Sequence, residues 1–353
     1  MSISKKALVS LLLVMFVLSS VLTGCGQKAP AAAPTPAPAK VETTPAPSTK
    51  KLKVGYVVNF MSHQWYQNIC NGAKARAAEV GVDLLIADAN QDSNAQISAA
   101  ENMITQKVDI LVLTPVDAKA LAPIVKKAKD AGIPVITESN KVDGAVSFVG
   151  IDNKAGGKKA GLWLVDYVKA NKIDPKILIV GLPNFDDCRN RVDGFKEALK
   201  ESGIKYEIKQ EVDGQGMKEK ALTVSQDALT AHPDVNVIYG INDDSTTGGM
   251  AAYKAAGLDE KKLTAIGFGF EGSVGQSALL SGGPYKASLA MFPNYVGVSL
   301  IDAAVSLSKG EKLPDHYQTP TVVITKDNFD KFYSKDGTGY KMSFDAIRAE
   351  SKK

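Results

Sequence analysis

Apolar residues fall in short unbroken runs, separated by stretches in which they recur every three or four positions. The run at 52–58 predicts a strand. Trp65, Ile69, Ala73, Ala77 and Val80 then share one helical face. Gly81 follows, where a helix stops. Further strands are predicted at 82–87, 110–113, 134–137 and 146–150, with helices at 97–106 and 118–131 between them; Gly132 ends the second helix. The rhythm then restarts. Helices at 156–169, 191–201, 218–230 and 247–256 separate strands at 176–180, 206–209, 235–239 and 264–267, and Gly203 and Gly257 end two of those helices. Strands spaced by helices of ten or more residues mean βαβ units and parallel sheets. Runs without polar alternation fit strands covered on both faces. The two halves echo each other: 108–117 and 235–243 are both strands that end in a polar turn before a helix. The expected architecture is α/β, with two similar doubly wound, Rossmann-like domains. In such sheets ligands bind outside the carboxyl ends of the strands, so two facing domains predict an interdomain cleft.

Ahead of this body the pattern changes. Lys5 and Lys6 precede an apolar run at 7–18, long enough for a signal sequence and short for a membrane span. Val21-Leu22-Thr23-Gly24-Cys25 resembles the lipobox of bacterial lipoproteins. The resemblance implies a signal peptide at 1–24 and lipidation of Cys25. It places the chain outside the cytoplasm, anchored to the bacterial cell membrane. An ordinary secretory cleavage site with an incidental Cys is the alternative. Residues 25–50 are rich in Pro, Ala and Thr and lack apolar periodicity, which predicts an extended tether.

Composition narrows the function. The 42 Lys and Arg nearly balance 38 Asp and Glu, which argues against a nucleic-acid binder with its basic stripe. Three Cys rule out a disulfide framework, and His63, His232 and His316 have no metal-ligand spacing, so neither metal nor cofactor is expected. Cys70 and Cys188 could bridge the domains; free, partly buried thiols are expected instead. Gly267-x-Gly269-x-x-Gly272 follows a strand as a dinucleotide fingerprint does, yet no acidic residue occurs between Gly272 and Asp302 to hold a ribose. Gly156-Gly157-Lys158-Lys159 lacks P-loop spacing, and no G-x-S-x-G elbow is present. No nucleophile or general acid stands out, and the chain is expected not to be an enzyme.

The strand ends carry aromatics interleaved with carboxylates, amides and Arg: Asn59, His63, Trp65 and Tyr66; Glu138; Asp187 and Arg191; Asn242; Phe268 and Glu271. Aromatic faces stack on the C–H faces of a pyranose, and planar polar groups bond vicinal hydroxyls. The mixture suits a sugar. Each polar residue alone could equally cap a helix, and Asn242 in particular reads as an N-cap.

At this point the chain resembles the type I periplasmic sugar-binding proteins, the ribose/galactose group related to the LacI regulators. The likeness runs from about residue 52 to 324. It rests on Tyr56-Val57-Val58-Asn59-Phe60 with Trp65-Tyr66, on residues 132–138, on Ile151-Asp152-Asn153 with Gly156-Gly157, on Arg191-x-x-Gly194-Phe195, and on 231–235 leading to Ile241-Asn242-Asp243. The resemblance implies a sugar clamped between lobes that close on a hinge. Asn59, His63, Trp65, Tyr66, Glu138, Asp187, Arg191, Asn242, Phe268 and Met291 are then the ligand-binding set. One lobe would take 51–151 plus 292–318 and the other 152–291 plus 319–353. The implied partners are an ABC permease and its ATPase, with the receptor a monomer. Alternatives are a receptor for a non-sugar small molecule and an input protein for a sensor or chemotaxis system. A LacI-type regulator would carry a DNA-reading head in place of the signal and tether. Three positions depart from the family pattern: Gly269 where an Asp is common, Ser139 where an Arg is common, and Met291 where the family is polar. Gly269 widens the expected cleft toward a short oligosaccharide, and Glu271 or Asp187 is a candidate to replace the missing carboxylate. Residues 325–353 run past the common family ending, and the sequence assigns them no role.

Overall fold

The computed structural model describes residues 51–350; the signal, lipidation and tether readings lie outside the described residues. Two α/β layers are built on six-stranded sheets of matching order. The first sheet holds β1 (Lys53–Val58), β2 (Asp83–Asp88), β3 (Ile110–Leu113), β4 (Val135–Glu138), β5 (Ser147–Gly150) and β11 (His316–Gln318), in the order β11-β5-β4-β3-β1-β2. The second holds β6 (Lys176–Gly181), β7 (Glu207–Asp213), β8 (Val237–Gly240), β9 (Thr264–Gly269), β10 (Tyr285–Ala290) and β12 (Val322–Thr325), in the order β12-β10-β9-β8-β6-β7. The repeat read from the pattern of the two halves is therefore a repeat of topology.

Helices α1 (Gln64–Val80), α2 (Ser93–Thr105) and α3 (Ala118–Asp130) serve the first sheet. Helices α4 (Asn153–Asn171), α5 (Asp186–Glu201), α6 (Lys218–Ala231), α7 (Asp243–Ala255) and α8 (Ser273–Leu280) serve the second. Helix α9 (Pro293–Ser308) returns to the first lobe and packs on α1. Gly81 ends α1 at φ 74°, in the left-handed region open to glycine. Several starts lie earlier than periodicity alone places them. The Asp152 carboxylate caps α4 through the Ala155 N–H, so that helix begins at Asn153. Helix α5 begins at Asp186 rather than 191, and α7 at Asp243 rather than 247, with Asn242 as its N-cap.

Each lobe contains one helix pair drawn together by reciprocal glycines. A Cβ on Gly72 of α1 would stand 1.8 Å from the Asn294 carbonyl oxygen, and one on Gly297 of α9 would stand 2.0 Å from that of Ile69. In the second lobe, Gly157 of α4 and Gly194 of α5 would each meet a carbonyl oxygen at 2.0 Å, those of Arg191 and Lys154. Only glycine permits these approaches.

The chain crosses between the sheets after β5, after β10 and after β11. Three residues, Thr319 to Thr321, join β11 to β12. So short a link cannot make the crossover that a parallel strand needs. β12 accordingly runs antiparallel to β10, while every other pairing in the two sheets is parallel. After β12 the chain adds α10 (Phe329–Phe332), a hairpin of β13 (Tyr333–Asp336) and β14 (Gly339–Met342), and α11 (Phe344–Glu350). Their buried side chains Phe329, Phe332, Tyr333 and Ile347 join one apolar cluster with Phe270, Phe292 and Ile324.

Candidate functional site

A cavity of about 620 Å³ lies at the carboxyl ends of both sheets, within the range of small-molecule sites. Nine of the ten residues expected to bind ligand line it: Asn59, His63, Trp65, Tyr66, Glu138, Asp187, Arg191, Asn242 and Met291. Phe268 does not. It lies in β9 with no exposed surface, and the Arg191 guanidinium sits 4.4 Å above its ring. A fully buried strand position faces neighbouring layers rather than the strand end, so Phe268 supports Arg191 from behind.

The first lobe contributes aromatics and one buried carboxyl. His63 caps α1, its ring Nδ1 accepting from the Trp65 N–H at 3.1 Å, and so starts the helix whose first turn carries Trp65 and Tyr66. Glu138 ends β4 and is 1% exposed. Its two oxygens accept from the Ser139 hydroxyl at 2.8 Å and the Thr114 hydroxyl at 2.9 Å. The Tyr56 hydroxyl stands 2.8 Å from that of Thr114, extending the chain into the core. Burial pushes the Glu138 carboxyl up to about 7; the hydroxyl bonds oppose the shift, and nearby Asp187 adds to it.

The second lobe contributes groups already bonded to the protein. Arg191 lies one helical turn after Asp187 on α5. Its Nε donates to Asn153 Oδ1 and its Nη1 to the Ile241 carbonyl, both at 2.9 Å, and Nη2 lies 3.7 Å from the Met291 sulfur. Met291, where the family is polar, thus completes the seat of the guanidinium. Asn242 accepts from the Ser245 N–H at 2.7 Å and donates to the Gly216 carbonyl at 2.9 Å, the capping role its sequence suggested. Burial raises the Asp187 carboxyl against the pull of Arg191 and a bond from Asn153. The Glu271 carboxyl is pushed up to about 7, first by burial and then by Asp243, with Arg191 opposing.

Sequence reasoning left out other lining residues. Asn153 stands in a motif that was read only for its likeness. Phe185, 61% exposed at the start of α5, also lines the cavity. A lone aromatic in a polar loop gives no periodic signal. Cys70 and Cys188 are free, as expected; Cys70 is buried, and burial raises its thiol to about 12. Among the described residues no group of acidic, His and Cys side chains could hold a metal ion, and no helix is long and apolar enough to cross a membrane.

Comparison with known proteins agrees with this architecture. A family model, the periplasmic binding protein domain, matches residues 54–312. The D-ribose/D-allose-binding protein of Pseudomonas aeruginosa is 30% identical over 299 residues, covering 79% of this chain and 91% of that protein. The ribose import binding protein RbsB of Escherichia coli is 28% identical over 288 residues, covering 80% and 94%. The crystal structure of a periplasmic ribose ABC transporter from Conexibacter woesei superposes with a TM-score of 0.72 at 26% identity, covering 80% of this chain and 94% of that one. The chain belongs to the periplasmic binding protein domain family.

Proposed function

We propose that this protein captures a sugar in the cavity between its lobes and delivers it, as an extracytoplasmic lipoprotein anchored through Cys25, to an ABC permease and its ATPase. It acts as a monomer and as a binding component, not an enzyme. One lobe is 51–151 with 292–318, the other 152–291 with 319–353. The observation that carries the reading is the cavity lining. Aromatic faces from the first lobe oppose a fixed guanidinium and carboxyls from the second, the complement of a ring with apolar faces and hydroxyl edges. The relatives named for ribose and allose support the ligand class. Closure about the three crossings is the expected motion.

The test is a thermal-shift screen of residues 51–353 against mono-, di- and oligosaccharides, polyols and nucleosides. A ligand at 100 times its Kd stabilises the folded state by about 2.7 kcal/mol. A shift with a sugar, without its turnover, supports capture. A shift with another class alone would replace the sugar while keeping the two-lobed clamp.

A further inference from the structure

The family's usual Asp is absent at Gly269, whose φ of 107° disfavours any side chain. A Cβ built there would lie 3.7 Å from Oε1 of Glu271, two residues on. The Glu271 carboxyl, with Met291 Cε at 3.6 Å, therefore borders the space into which a residue-269 side chain would project. Glu271 lines the cavity, and its buried Oε2 has no hydrogen-bond partner. Its backbone carbonyl accepts from Asn68 Nδ2 of α1 at 3.2 Å, a bond between the lobes.

Glu271 reaches this place because Phe270 turns the chain. Phe270 has φ 49°, a conformation unfavourable for a bulky side chain, and so must be held by its surroundings. Its N–H bonds the buried Asp243 carboxylate. Its ring meets Phe329 edge-on, with centroids 6.1 Å apart, and Tyr333 at 5.4 Å. The Tyr333 hydroxyl donates to its carbonyl at 3.5 Å. Phe292, the first residue after Met291 at the second crossing, is also left-handed at φ 51° and packs on Phe332 and Tyr333. Both strained residues thus rest on the segment that follows β12.

We propose that Glu271 is a ligand-facing carboxyl in place of the family's Asp, and that Phe329 and Tyr333 of the C-terminal segment are its positioning residues. The proposal rests on the sugar-capture reading for the ligand. The position of the carboxyl can be tested without one.

The experiment compares the wild type with Glu271→Gln, Tyr333→Phe and Phe329→Leu. Binding of D-ribose, D-allose and cellobiose is followed by calorimetry, and the Glu271 carboxyl is titrated by carbon-13 NMR in the ligand-free protein. Asp243, Asp244 and Arg191 are the charged groups that influence that carboxyl. Glu271→Gln should weaken binding about tenfold, the effect of one charged hydrogen bond. Tyr333→Phe and Phe329→Leu should weaken it in the same direction and lower the Glu271 midpoint by about half a unit as the corner admits water. Wild-type affinity in Glu271→Gln overturns the ligand role. A lower Tm with unchanged midpoint and affinity in both aromatic variants overturns the positioning role. Failure of all three sugars to bind the wild type counts against sugar capture, and the titration still decides whether the segment holds the corner.

Discussion

The two lobes share a strand order and a glycine-zipped helix pair, yet they prepare their halves of the cavity differently. In the first, Trp65 and Tyr66 line the cavity, and one carboxyl, Glu138, is bound by two hydroxyls that can rotate and by the Trp65 side chain. In the second, Arg191 and Asn242 spend their hydrogen bonds on protein atoms before any ligand arrives. One side is a fixed frame and the other an adaptable wall. The contrast shows that a repeated fold need not repeat its chemistry, because the strand-end residues are not needed for the core and can diverge independently.

The reciprocal glycines test this contrast most severely. Gly72→Ala and Gly157→Ala should each cost about 3 kcal/mol in urea unfolding, outweighing the ~1 kcal/mol that Ala gains in a helix. Only Gly157→Ala presses on the Arg191 backbone, so it alone should also weaken sugar binding. Equal binding losses in both variants would erase the distinction between frame and wall.

The carboxyls give the next largest effect. Glu138 titrates at about 7 when folded against an ordinary 4.5. The folded state therefore holds a proton that the unfolded state has released. Its stability contribution is complete below 4.5 and disappears as the pH rises through 7, a loss of about 3 kcal/mol at most. Glu271 at about 7 and Asp243 at about 6 add the same sign from the second lobe. Glu138→Gln should flatten part of the pH slope of unfolding. A slope unchanged by that substitution would place the titration elsewhere.

Arg191→Lys comes third. It keeps the charge but loses the planar fork and the seat over Phe268, and should cost about 2 kcal/mol of stability. A smaller loss than in Trp65→Phe would mean that the rigid half is the aromatic one. Phe185→Ala is the mildest. At its exposed position stability should stay within about 0.5 kcal/mol, while sugar affinity falls by about 1 kcal/mol, as calorimetry would show.

Much of this was legible in the chain. Unbroken apolar strands and glycine stops gave the repeat, because burial on both faces leaves no other pattern. Glu138 was legible as the end of an apolar strand, and Arg191 from the Arg-x-x-Gly-Phe motif that the chain shares with the family it resembles. The earlier starts of α5 and α7 were not, since Asp186-Asp187 and Asn242-Asp243 lack the apolar spacing that marks a helix. Phe268 was misplaced because a strand's last residues look alike in sequence whether they face the cavity or the layer behind it. The C-terminal segment was opaque for another reason: its aromatics gain meaning only from Phe270 and Phe292, which lie far from it along the chain.

The three-residue return from β11 to β12 also governs how the molecule is made. Strand β5 gains its outer neighbour only when residues 316–318 arrive, and α1 gains α9 only after residue 293. A nascent chain can place five strands of the first sheet early, but one helical face stays bare until residues 293–308 are made and the sheet's edge stays open until residues 316–318 are made. Every premature stop before β11 leaves an unpaired parallel edge, a template for wrong partners. The first lobe is therefore finished only after five strands of the second have been made.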